Sequence, residues 1–261
     1  MGDDRAHDLL RSPIGLQVLQ LISERDHARL TDDDLRAIIP RLEVHISRYR
    51  SGYDSHVAWL KSRSNALAPL AEWLPRRMPG WWGDLDRTNQ IWVARGGEPL
   101  EPARLAVDLA AMHREASKPK RALWTSTRTA PSITPWLDHG ENQAPGEINL
   151  WAVQVSQEAR VAEIHSPAAW ASLVERYPGD SPGLIFTGVK HPPESAYRRD
   201  PDWHRVAQDW DAVHLSVGGW LTAQDVPYGG EGYRTELRGF DMESTVWFRW
   251  CFSSASPLAA A

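Results

Sequence analysis

The spacing of apolar residues changes partway along this 261-residue chain, from a helical period to an extended one, and that change sets what it can fold into. Thr31-Asp32-Asp33-Asp34 precedes Leu35, Ile38, Ile39, Leu42 and Ile46, a helical spacing behind a start signal. The Thr31 hydroxyl is placed to accept from a first-turn amide, Asp34 to complete a capping box, and the three carboxylates to sit at the positive end of the helix dipole. An earlier helix is expected over about 12–25, with Pro13 in its first turn and Leu16, Leu19 and Ile22 on one face. Val57, Leu60, Leu67 and Leu70 extend the pattern toward Pro75, and Pro102 opens another helix carrying Leu105, Leu109 and Met112. Residues 76–97 interrupt this regime with the turn-rich, aromatic Pro79-Gly80-Trp81-Trp82-Gly83.

Past Ser117-Lys118-Pro119-Lys120, which reads as a linker, the period shortens. Strands are expected at 122–127, 148–155, 160–164, 211–217 and 244–252, the second of them alternating as a half-buried strand does. Ser166-Pro167 opens a helix through Trp170, Leu173 and Tyr177, and 203–209 reads as another. The segment 178–202 reads as a surface loop, 228–233 as a turn, and 253–261 as a frayed tail. The expected class is α+β, with a helical region over 1–117 and a mixed or antiparallel sheet domain over 118–261.

A formal net charge of −5 argues against a generally basic nucleic-acid binder. The start of the chain lacks the basic and apolar runs of a signal peptide, and no stretch approaches the ~18 apolar residues of a spanning helix, so a cytoplasmic protein without a membrane partner is expected. Cys251 is the sole cysteine and is set in an apolar, aromatic run, which reads as a structural thiol in a buried strand. Fourteen tryptophans against four phenylalanines suit both cores and flat-ring ligand sites.

No phosphate loop, nucleophile elbow or metal-ligand helix occurs. His191, His204 and His214 lack the spacing of a zinc helix and any evident partner carboxylate, and no metal is expected. The acid that stands out is Glu243, which leads directly into an apolar strand and could be presented into a cleft from a rigid element. Asp211 precedes another buried-looking strand, and Trp124-Thr125-Ser126-Thr127-Arg128 puts hydroxyls beside an aromatic ring, a combination able to hold a sugar or a phosphate.

The order of these pieces resembles the catalytic domain of the ADP-ribosyltransferase superfamily over about 121–252. Leu123-Trp124-Thr125-Ser126-Thr127 resembles that family's first strand, Trp210-Asp211-Ala212-Val213 its aromatic-Asp-x-Val strand, and Glu243 its late glutamate. The resemblance implies NAD as substrate, Glu243 as the catalytic carboxylate, Thr125, Ser126 and Thr127 around the ribose, and Trp124 or another tryptophan stacked on nicotinamide. The acceptor it implies is a protein, a nucleic acid or water. Where the family carries His or Arg this chain has Thr125, which leaves Arg121 or Arg128 to supply that contact. Two other readings stay open: a tryptophan-rich binding or regulatory protein, and a glycosidic-bond hydrolase working through paired carboxylates such as Asp211 and Glu243.

Overall fold

The structure is a computed structural model that describes residues 4–38, 52–95, 118–119, 122–128, 148–179, 197–229 and 233–258. The fold is α+β, with eight helices and a seven-stranded mixed sheet among those residues.

The N-terminal helices start where side-chain oxygens can satisfy their orphan amides. Helix α1 (Asp4–Arg11) ends one residue before α2 (Pro13–Ser23), and between them Ser12 accepts from the Gly15 amide at 3.2 Å, with proline in the first turn as expected. Ahead of α3 (Asp32–Ile38), Thr31 Oγ1 accepts from the Asp34 amide at 3.1 Å. Asp34 Oδ2 in turn accepts from the Thr31 amide and hydroxyl, and those bonds hold its carboxyl below the usual carboxylate range. Helices α4 (Tyr53–Ser62) and α5 (Ser64–Arg77) follow, and Pro79–Trp82 forms a short 3-10 turn whose Trp81 and Trp82 are buried. The expected helix from Pro102, the expected apolar positions Ile39, Leu42 and Ile46, and most of the 178–202 segment lie outside the described residues.

The sheet comprises β1 (Gln90–Arg95), β2 (Leu123–Thr127), β3 (Ile148–Val155), β4 (Val161–Ile164), β6 (Ala212–Leu215), β8 (Ser244–Trp247) and β9 (Phe252–Pro257), in the order β4-β6-β8-β2-β1-β3-β9. Among the described residues of this sheet only the β4–β6 pair is parallel, and between those strands run α6 (Pro167–Arg176), capped by Ser166 as expected, and α7 (Trp203–Asp209). Two short strands, β5 (Tyr197–Arg198) and β7 (Tyr233–Arg234), pair separately.

Three expectations need correction. The central strand β1 comes from residues assigned to the helical region, because Ile91-Trp92-Val93 follows immediately on a turn-rich stretch; it lies between β2 and β3. The strand expected over 211–217 ends at Leu215, and Ser216 caps α8 (Val217–Ala223), accepting from the Gly219 amide at 3.0 Å. Two glycines at the start of that helix hide it in the sequence, and packing requires both: a Cβ on Gly218 would meet the Trp82 ring at 2.3 Å, and one on Gly219 the Ile164 carbonyl oxygen at 2.1 Å. The closing strand is two strands, and β9, partly drawn from the supposed tail, crosses to the far edge to pair with β3. Cys251 therefore sits half-buried between strands rather than inside one, and burial followed by the nearby Asp211 charge pushes its thiol up, away from nucleophilic use.

The two sheet faces differ. Ala162, Ile164, Val213, Leu215 and Val246 belong to the main core, which continues through the N-terminal helices and an aromatic cluster of Trp170, Trp203, Phe240 and Phe248. On the opposite face the strand register aligns Glu163, His214, Thr245, Thr125, Trp92 and Trp151 in one row. A smaller apolar cluster including Leu123, Ala212 and Trp247 occupies the end of that face nearest Asp211.

Candidate functional site

The site forms where β8 begins. Strands β2 and β8 are antiparallel with Thr125 opposite Thr245, so continuing the register brings the last residue of β2, Thr127, to the entry of β8. Glu243 occupies that entry with φ +42°, a left-handed backbone that a non-glycine residue adopts only when its surroundings enforce it. Here they do. Glu243 Oε2 accepts from Ser126 Oγ at 2.7 Å and from the Thr127 amide at 2.6 Å, and Oε1 accepts from Thr127 Oγ1 at 2.5 Å. The Glu243 residue is 5% exposed.

A fourth donor completes the set. His214 Nε2 lies 3.3 Å from Glu243 Oε1, and its Nδ1 lies 2.5 Å from Glu163 Oε2. Burial alone would depress the imidazole pKa, but the hydrogen bonds and charges of Glu163 and Glu243 outweigh it and raise His214 to about 9. At neutral pH the ring is an imidazolium between two acids. The sequence offered no partner carboxylate for His214, and the partners come from strands on both sides of it. Only the pairing of β4, β6 and β8 brings them together.

A directional hydrogen-bond chain reaches the same carboxylate from the other side. Trp247 Nε1 donates to Thr125 Oγ1 at 2.9 Å, and Thr125 Oγ1 donates to Gln90 Oε1 at 2.7 Å. Gln90 Nε2 donates to Thr127 Oγ1 at 2.7 Å, and the Thr127 hydroxyl in turn donates to Glu243 Oε1. Gln90 is fully buried, and it went unnoticed in the sequence because its strand did. Thr245 Oγ1 is also buried within the polar row, and it has no hydrogen-bond partner among the described residues.

Other residues singled out from the sequence lie elsewhere. Asp211 sits at the opposite end of β6, accepting from the Arg160 amide at 2.7 Å and pairing with Arg160 and Arg249 at 3.4 and 3.2 Å. In the β6–β8 register Glu243 falls level with Ser216, which separates it from Asp211 by roughly 16 Å at the usual strand rise, well past the ~9.5 Å limit for carboxylates sharing a glycosidic bond. Trp124 faces the main core, because it alternates with Thr125 and Thr127. Its ring lies edge-on to Phe240 at 5.2 Å, and Lys118, itself paired with Asp241, lies 4.6 Å from the ring centre. Arg128 is exposed, with its backbone amide donating to Asn89 at 2.7 Å, and Arg121 lies outside the described residues.

Beyond Glu163, one ligand atom each from Asp84, Glu163 and His165 lie within 4.8 Å of one another, a group able to hold a metal ion. His165 also spans Asp84 Oδ1 at 3.0 Å and Ser216 Oγ at 3.1 Å. Ser216 is buried and its oxygen caps α8. No helix among the described residues is long and apolar enough to cross a membrane. Compared with known protein families, curated proteins and solved structures, the chain has no match.

Proposed function

We propose that the chain is an ADP-ribosyltransferase-like enzyme that cleaves the nicotinamide–ribose bond of NAD and passes ADP-ribose to a protein or nucleic-acid acceptor, or to water. The observation that carries this reading is convergence. Ser126 and Thr127 are 117 and 116 residues from Glu243 in the chain, yet all three belong to one hydrogen-bonded set.

The chemistry follows from charge. As the bond from ribose C1′ to the nicotinamide nitrogen breaks, its electron pair leaves with nicotinamide, and positive charge develops over C1′ and the ring oxygen. A carboxylate held by fixed donors and screened from water stabilises that cation with little reorganisation. Thr127 is the one partly exposed side chain among the donors to Glu243, so it marks the side from which a ribose reaches the acid. A ribose hydroxyl takes the place of the Thr127 hydroxyl on Oε1, while Gln90 keeps its own hold on Thr127. The acceptor then bonds to C1′ and releases a proton, and water in that role yields free ADP-ribose.

One observation favours a second reading. Four protein donors reach the Glu243 carboxylate, a number that suits a structural network. Under that reading the protein is a tryptophan-rich binding or regulatory module. Incubating the purified protein with NAD and measuring free nicotinamide, beside Glu243→Gln, separates the two. Release that disappears in the variant supports the enzyme; equal release by both proteins removes Glu243 from the chemistry; no release from either favours the module.

A further inference from the structure

We propose that His214, braced by Glu163, is the positioning residue for the Glu243 carboxylate; the inference rests on the enzymatic reading above. His214 lies between Val213 and Leu215, both of which face the main core, so strand alternation alone directs the imidazole to the polar face. There the ring is fixed at both ends. Nδ1 meets Glu163 Oε2 at 2.5 Å, Nε2 meets Glu243 Oε1 at 3.3 Å, and the second Glu163 oxygen accepts from the Leu85 amide at 3.2 Å. With its side chain 3% exposed, the ring has no solvent route by which to rotate away.

The arrangement answers a need the proposed chemistry creates. A carboxylate that stabilises a forming ribosyl cation has to keep its charge and its aim while the substrate hydroxyl exchanges with Thr127. Ser126 and the Thr127 amide hold Oε2, and His214 holds Oε1 from the side opposite that exchange. Glu163 keeps the ring in place and balances its charge, so one cation serves two acids. The charged and titratable groups facing His214 are Glu163 and Glu243; Asp84 and His165 stand beyond Glu163, and Asp211 is at the far end of the strand. His214 acts through Glu243 rather than on the substrate.

The test compares kcat and KM for NAD cleavage in the wild-type protein, Glu163→Gln and Glu243→Gln, with circular dichroism and thermal midpoints as folding controls. Glu163→Gln is nearly isosteric and keeps an acceptor for His214 while removing its charge. Its kcat is expected to fall about tenfold with KM for NAD little changed, the pattern of a group that acts in the transition state. NMR of the His214 ring at a single pH should report the altered hydrogen bond at Nδ1 in Glu163→Gln without any turnover measurement. A Glu163→Gln protein with wild-type kcat overturns this inference alone, provided Glu243→Gln is inactive. Wild-type protein that releases no nicotinamide overturns the enzymatic reading and this inference together.

Discussion

The paired strands β6 and β8 carry a buried acid at each end, Asp211 at one and Glu243 at the other, and the two are solvated in opposite ways. Asp211 is 7% exposed and meets a backbone amide and two guanidinium groups, those of Arg160 and Arg249, whose side chains are about half exposed at 51% and 44%. It closes the start of β6 while its cations remain in contact with water. Glu243 is 5% exposed and meets hydroxyls, an amide and a buried imidazolium that a second acid holds from behind. The first end combines one acid with two cations, the second two acids with one cation. Equal burial therefore conceals different chemistry: the Asp211 end is a clamp, whereas the Glu243 end concentrates excess negative charge beside a backbone held in a left-handed conformation.

The sharpest break in that comparison is activity. Glu243→Gln should lower nicotinamide release by about 10²–10³-fold, the scale of a lost transition-state charge contact, whereas Asp211→Asn should leave it within about threefold. Steady-state assays of both variants decide it, and comparable losses at the two ends would erase the distinction.

How much of this was legible in the sequence differs between the same two ends. Glu243, Ser126 and Thr127 stood out because an acid or a hydroxyl adjoining an apolar strand is visible locally. Asp211 stood out by the same rule, and for it the rule pointed to a clamp. Adjacency to a strand is a local property, whereas the partners that separate a clamp from a candidate site are set by pairing between strands. Glu163 and Gln90 were missed, and His214 was set aside, for that reason. Each is a polar residue on a short strand, and its role depends on neighbours that only the order β4-β6-β8-β2-β1 supplies. The capped helices at Ser12, Thr31 and Ser166 were legible because a cap is written within four residues.

Stability gives the next contrast. His214→Leu should cost about 3–5 kcal/mol in urea unfolding, because it leaves Glu163 and Glu243 facing each other without the cation between them. A cost under about 1 kcal/mol would mean that the two acids find other partners.

Titration should separate the ends as well. The folded-state value of about 9 for His214 lies above the ordinary imidazole value of 6.5, so folding favours the protonated ring. The resulting stabilisation is fully present below about pH 6.5 and is lost as pH rises through about 9, at most about 3 kcal/mol for a shift of this size. Unfolding free energies measured from pH 6 to 10 should decline through that window in the wild type and flatten in His214→Gln. A decline of equal size in the variant would assign it to other groups.

The smallest effect belongs to the clamp, and salt exposes it. Asp211→Asn keeps one oxygen for the Arg160 amide but gives up the charge, and should cost about 1–2 kcal/mol, since a hydrogen bond to an ion is worth more than a neutral one. The half-exposed Arg160 and Arg249 are open to counterions, so raising ionic strength to about 1 M, where the Debye length is about 3 Å, should close much of the gap between variant and wild type. The penalty of His214→Leu should persist at the same salt, because the His214 and Glu243 side chains are only 3% and 7% exposed. If salt reduced both penalties alike, the imidazolium would be as open to ions as the guanidinium pair, and a network that water enters so readily could not keep a carboxylate preorganised for a developing cation.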